Sequence, residues 1–467
     1  MGNAPARTSG FSGTGAPAVK CPTVGRYFGT DGVRGVAGRE LSAELAFKLG
    51  RAAGRVLRPR TALIGRDTRV SGPALEAACA AGLAEAGCEV LSSEVIPSPA
   101  VSHLVRLRGL DLGVVVSASH NPPQDNGIKF YGADGLKLSP EEEDRIEAEL
   151  ERGDPPADLG PIRPFREARG LYVEFLLSSL GRGWGKGIRV VLDCAHGATA
   201  EVAPEVFSAL GMEVTAFGRE PDGRRINSTG VMNLKPLREM VLAEGADLGV
   251  AFDGDGDRAL FVTAEGEVVE GDRLLGALAP RLLSWGEIST PRVVFTVLAN
   301  KGPEEYLRGR GFSVVRVPVG DRNVSLAMRE EGIEVGGEPS GHLVFRRYAP
   351  TGDGILTALY LVRSLARLDL GLGQLVREVP LYPQLRRDIA AGKHKEAVLA
   401  MAEVRDAIAE ARGALGEGGR VVVRPSGTQP LIRVLVEGPD EGELRRVLEK
   451  LCAAIEKALA RAEARGH

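Results

Sequence analysis

Apolar positions along this chain gather in short unbroken runs, spaced by stretches with helical periodicity. Ala62-Leu63-Ile64, Leu112-Gly113-Val114-Val115-Val116, Ile188-Arg189-Val190-Val191-Leu192 and Val293-Val294-Phe295-Thr296-Val297 have the length and β-branched content of buried strands. A helix-like stretch follows Ser42, an alanine-rich helix is predicted over 73–86, and a strand over 88–91. Ser139-Pro140-Glu141-Glu142 reads as a capping box with proline at the first helical position, so a helix starts there. This alternation predicts βαβ units with right-handed crossovers.

A similar order recurs twice: strand 188–192, helix 201–210 and strand 214–217, then strand 293–297, helix 304–308 and strand 314–317. Three related α/β domains are expected, over 21–169, 170–271 and 272–378. Four prolines within 152–164 break the pattern and read as a linker. The last unit, 379–467, differs: strands near 421–423 and 431–436 lie between two long helical stretches, as in an α+β domain. Residues 1–20, rich in Gly, Ala, Ser, Thr and Pro and without the apolar core of a signal peptide, are expected to be a disordered tail.

Composition narrows the class. A chain of 467 residues exceeds what one hydrophobic core supports, and 43% hydrophobic with 26% charged residues is ordinary for a soluble protein. The net charge of −3 supplies no field to recruit nucleic acid or an anionic membrane, so an anion must be held by local arginines and backbone amides. No run of about 18 apolar residues is present to span a membrane. The five cysteines are scattered, with no Cys-x-x-Cys pair, which argues against zinc and disulfides and suits a reducing, cytoplasmic setting.

The chemistry begins with Asp253-Gly254-Asp255-Gly256-Asp257-Arg258. In an extended segment Asp253, Asp255 and Asp257 point to one side, and three converging carboxylates repel unless a cation lies among them. Oxygen-only ligation points to a hard ion, Mg2+ above others. A calcium EF-hand fails, because Arg258 stands at its sixth position and Ala264 at its twelfth.

Ser119, in Ser117-Ala118-Ser119-His120-Asn121-Pro122, follows the run at 112–116 and so lies on a loop at a strand's C-terminal end, where α/β proteins bind ligands. No Gly-x-Ser-x-Gly elbow surrounds it, which argues against a hydrolase triad. A hydroxyl nucleophile with a hard-metal site suggests phosphoryl transfer through a phosphorylated serine. His120 either orients that nucleophile or caps the loop; Lys129 either transfers a proton or is a surface lysine. Arg424-Pro425-Ser426-Gly427-Thr428 has the make-up of an anion nest. Gly336-Gly337-Glu338-Pro339-Ser340-Gly341-His342 suits sugar hydroxyls, with a plain turn as the alternative, and Phe28-Gly29-Thr30-Asp31-Gly32-Val33-Arg34 could bring Arg34 to the same cleft.

In this order the motifs resemble the α-D-phosphohexomutase superfamily over about 26–437, with the stretches 28–35, 117–137, 319–322 and 351–356 most similar to its bacterial phosphoglucosamine mutase branch. The resemblance implies three related α/β domains with mixed sheets plus the C-terminal α+β domain, each giving one loop to a central cleft. It implies that Ser119 carries the phosphoryl group and joins Asp253, Asp255 and Asp257 around one Mg2+, with Arg258 beside them. Glu338 and Ser340 match residues that contact sugar hydroxyls, and Arg424, Ser426, Gly427 and Thr428 match the loop gripping the substrate's phosphate. Lys129 and His342 match groups proposed for proton transfer, and Arg34 and His120 match active-site supports. The implied isomerase turns glucosamine 6-phosphate into glucosamine 1-phosphate through a bisphosphate intermediate, toward UDP-N-acetylglucosamine and cell wall. The small sugar phosphate is its partner, and a homodimer is left open.

The chain departs from the family pattern at Gln429, usually Glu, at Asn323, usually Tyr, and in Ile226-Asn227-Ser228-Thr229-Gly230, which lacks the branch's usual Cys. A phosphomannomutase or phosphoglucomutase on the same fold therefore stays as an alternative, as does a metal-dependent sugar phosphatase.

Overall fold

The computed structural model describes residues 27–29, 31–152, 158–426 and 430–465. The expected tail at 1–20 and the residues Gly427, Thr428 and Gln429 lie outside them. The described chain forms four sheets, of seven, five, four and three strands.

The first three sheets share one four-strand frame. A central strand has a parallel neighbour on one side and a second parallel neighbour on the other, followed by an antiparallel return strand. In the first sheet these are Thr61–Arg66, Glu89–Val95, Leu112–Val116 and Asp125–Gly132. In the second they are Arg189–Asp193, Glu213–Phe217, Leu248–Phe252 and Ala259–Thr263. In the third they are Arg292–Thr296, Ser313–Val317, Val335–Gly337 and Leu343–Phe345. Sequence similarity alone is too weak to prove this repeat. Its consequence is positional: in each sheet the turn from the third strand into the fourth falls at the C-terminal end of a parallel strand. Those turns hold Ser119, the three aspartates, and Glu338 with Ser340.

Local signals agree with the elements formed. Ser42 Oγ accepts from Leu45 N at 3.1 Å and caps the helix Ala43–Leu57. The capping box at Ser139 forms with both reciprocal bonds, opening the helix Pro140–Glu149. The expected linker needs correction, because Ile162–Pro164 pairs in parallel with Glu89–Val95 as the last strand of the first sheet. Prolines are tolerated there because an edge strand leaves one row of backbone groups unpaired.

One buried cluster runs through all three α/β units, joining Leu63 and Tyr131 to Phe207, Phe261, Phe295 and Tyr360. The C-terminal unit has its own core, where Ile432 and Val434 pack with Leu451 and Ile455. Its sheet contains a third strand, Gln384–Ala390, that the hydrophobic pattern did not reveal. No helix among the described residues is long and apolar enough to cross a membrane. Cys79, Cys88, Cys194 and Cys452 are buried free thiols, and Cys21 is outside the described residues.

Candidate active site

The strand Leu112–Val116 is buried throughout and delivers the chain to a tight loop in which Ser119 takes a left-handed φ of 52°. Its hydroxyl donates to Asp253 Oδ2 at 2.7 Å, from the first sheet to the loop of the second. Such an approach needs a small residue opposite. A Cβ on Gly254 would stand 2.8 Å from the Ser119 carbonyl oxygen.

Asp253, Asp255 and Asp257 are all buried, and each offers a carboxylate oxygen within 4.8 Å of the others. Gly256, at φ 75°, makes the turn that brings them together. Asp255 Oδ2 accepts from Ser98 Oγ at 2.6 Å and from Lys129 Nζ at 3.0 Å. Asp255 Oδ1 and Asp257 Oδ1 are buried with no hydrogen-bond partner. Burial first, then the charges of Asp257 and Asp255, hold the Asp253 carboxyl well above the usual carboxylate range. Orphaned oxygens and mutual repulsion are what a divalent cation would relieve, so the residues present fit a hard metal ion.

Lys129 is fully buried, which removes the surface-lysine alternative, and it bridges Asp255 to Asp31 at 3.0 and 3.1 Å. Burial opposes its charge, but those two carboxylates outweigh it and hold its pKa well above the ordinary lysine value. Asp31 also pairs with Arg34 and Lys137, and Lys137 continues to Asp321 at the start of the helix Asp321–Glu330. Arg34 reaches back to Asn121 Oδ1 at 3.1 Å, beside Ser119.

His120 Nδ1 stands 3.0 Å from Arg258 Nη1 and 3.3 Å from Ser119 Oγ. A guanidinium only donates, so this nitrogen accepts. Burial, then Arg258 and Arg34, push the His120 pKa down to about 3. Arg258 Nε lies 3.6 Å from Asp257 and 3.9 Å from Asp253.

The third unit's loop packs on the exit of the aspartate loop. Ala259 N donates to Gly341 O at 3.1 Å, and Glu338 Oε1 accepts from Gly320 N at 3.2 Å. His342 Nε2 accepts from Gly352 N at 3.0 Å, which leaves its proton on Nδ1, 3.5 Å from Asp257 Oδ2. Ser340 is partly exposed on the same turn. In the fourth unit Arg424 lies one residue before the end of the strand Arg420–Pro425, close to buried Ser426, and burial, then the charge of Arg433, lowers its guanidinium pKa. The geometry thus brings together Ser119, His120, Lys129, Arg34, Arg258, His342 and the aspartates, with Glu338 on the loop that packs against them.

Five groups were missed from sequence: Asp31, Lys137, Asp321, Arg69 and Asn227. All but Arg69 lie in stretches quoted above, but the role of each depends on partners brought in by the fold.

Domain profiles match along the chain: phosphoglucomutase/phosphomannomutase alpha/beta/alpha domain I at 25–157, domain II at 171–266, domain III at 270–382 and the C-terminal domain at 389–454. A phosphoglucosamine mutase of Rhodospirillum rubrum is 44% identical over 444 residues, covering 92% of this chain and 98% of that protein. One of Geobacillus thermodenitrificans is 42% identical over 451 residues, covering 93% and 99%. The crystal structure of a phosphoglucomutase/phosphomannomutase family protein of Burkholderia thailandensis superposes with TM-score 0.80 at 26% identity, covering 92% of this chain and 97% of that one. With four matching domains in order and such relatives along its length, the chain belongs to the phosphoglucomutase/phosphomannomutase family, as a mutase of the α-D-phosphohexomutase superfamily within its phosphoglucosamine mutase branch.

Proposed function

We propose that the chain interconverts glucosamine 6-phosphate and glucosamine 1-phosphate through phosphorylated Ser119 and a bisphosphate intermediate. The observation that carries this reading is the Ser119 hydroxyl seated on Asp253 at 2.7 Å, within the cluster of three buried carboxylates. The choice of amino sugar rests on the relatives named phosphoglucosamine mutase.

As the Ser119 Oγ–phosphorus bond breaks, a bond forms from phosphorus to the free hydroxyl of the sugar monophosphate. That hydroxyl gives up its proton and Ser119 Oγ gains one, returning to the protonated state in which it donates to Asp253. The bisphosphate turns in the cleft, and its other phosphoryl group passes back to Ser119. Asp253, Asp255 and Asp257 would hold Mg2+ together with the Ser119 oxygen, and the bound ion supplies charge neutralisation for the transferring group. Lys129 and Arg258 add fixed positive charge there, and His120 accepts from Arg258 and so steadies it. Glu338 and Ser340 would take sugar hydroxyls, while Arg424, Ser426, Gly427 and Thr428 would grip the standing phosphate. Buried free thiols suit the cytoplasm.

Coupled assays with glucosamine 6-phosphate, glucose 6-phosphate and mannose 6-phosphate test the reading. The glucosamine substrate should show the highest kcat/KM; if it is the poorest of the three, the specificity is wrong. Intact-mass measurement should show a phosphate on the wild type that is absent from Ser119→Ala.

A further inference from the structure

We infer that Arg69 and Asn227 are positioning residues that hold the Ser119 loop in its reactive geometry. Arg69 is fully buried beneath that loop. Its Nη2 donates to the carbonyls of Ser119 and Asn121, both at 2.9 Å, and its Nη1 donates to those of Asp125, at 2.8 Å, and Pro122. One planar group thus fixes four carbonyls of one short segment. Asp67 orients the guanidinium, accepting from Arg69 Nε at 2.9 Å, and also accepts from Ser117 Oγ at 2.6 Å. Ser117 Oγ in turn accepts from Ser119 N at 2.9 Å.

Asn227 closes the clamp from the second unit. Its Nδ2 donates to Ser119 O at 2.8 Å and to Asn121 O at 3.0 Å. Ser119 therefore has its amide and its carbonyl both fixed, the carbonyl by donors from loops of two separate units. A serine does not keep a φ of 52° on its own preference, so the surroundings must impose it. Fixing both peptide groups sets the Cα–Cβ direction, and with it the line along which Oγ meets Asp253. Lysine cannot replace this arginine, because an ammonium lacks the planar fork that reaches several carbonyls at once.

The inference rests on the reading of Ser119 as phosphoryl carrier, and the experiment separates the two. Asn227→Gly removes the amide while allowing the φ of 62° found at that position. Arg69→Lys keeps a positive charge beside Asp67. In both variants kcat should fall roughly tenfold to a hundredfold while KM for the sugar phosphate stays within about twofold. Near-ultraviolet circular dichroism and the thermal midpoint report whether each is folded, and if Arg69→Lys is not, Asn227→Gly decides. A purely structural role would lower the midpoint and leave the kcat of the folded protein unchanged. Wild-type kcat in Asn227→Gly, with Ser119→Ala inactive, overturns the clamp and leaves the phosphoserine reading standing. An active Ser119→Ala overturns both.

Discussion

Ser119 Oγ and Asp253 Oδ2 meet at 2.7 Å across a sequence separation of 134 residues, because each stands just beyond the third strand of its own sheet. The contact joins a nucleophile to a cluster in which Asp255 Oδ1 and Asp257 Oδ1 are buried without partners. Chelation with EDTA should therefore lower turnover by about a hundredfold or more, with recovery on adding Mg2+. Mg2+ should also raise the thermal midpoint of the wild type, and Asp255→Asn should lose that rise. Full activity in EDTA would defeat the metal assignment.

Gly254 packs against the Ser119 loop with no room for a side chain. A Cβ there would stand 2.8 Å from the Ser119 carbonyl oxygen and 2.8 Å from Ile226 Cδ1. The serine side of that contact is backbone, so it can yield only by moving the loop. Gly254→Ala should lower kcat by roughly tenfold or more. Steady-state kinetics at fixed Mg2+ would check this, and wild-type kcat would mean the loops separate without consequence.

Much of this site is legible in the sequence because its chemistry is local. The three aspartates occupy alternate positions of one segment, and Ser119 closely follows an apolar run, so side-chain type and position suffice, although the aspartates converge through the turn at Gly256 and not along an extended segment. Arg69 and Asn227 are not legible, since a buried arginine bound to carbonyls has the same sequence appearance as a surface one. The same holds for Lys137, whose partners Asp31 and Asp321 come from the first and third units. The strand Gln384–Ala390 escapes notice because Arg386, Arg387 and Asp388 are exposed on a sheet edge and interrupt the apolar pattern. The threefold strand frame is likewise carried by topology, with different residues filling it each time.

Arg322 and Glu143 form a bidentate pair between the third and first units, with both side chains mostly buried. Burial raises the Glu143 carboxyl pKa, while the Arg322 hydrogen bond and charge oppose that rise. Removing either partner leaves a charge poorly solvated, so Glu143→Ala and Arg322→Ala should each destabilise by about 1–3 kcal/mol. The double variant should cost less than the sum. Urea denaturation of all four proteins measures the coupling, and strict additivity would show that the pair holds nothing together.

Asp353 gives the clearest pH dependence. It caps the helix Gly354–Leu368, accepting from Leu356 N at 2.9 Å and from the Tyr172 hydroxyl at 2.9 Å. Burial raises its pKa to about 6, against the lowering effect of those hydrogen bonds. An unfolded aspartate titrates near about 3.9. Between these values the folded state binds the proton more tightly, so stability falls as pH rises from about 4 to about 6, and the loss is complete above that. The size is on the order of 3 kcal/mol. Asp353→Asn keeps an acceptor for Leu356 N and cannot ionise. Its stability relative to wild type should therefore improve between pH values of about 4 and 8. Urea midpoints of both proteins at the two pH values test this; a constant gap between them would show that Asp353 does not titrate in that window.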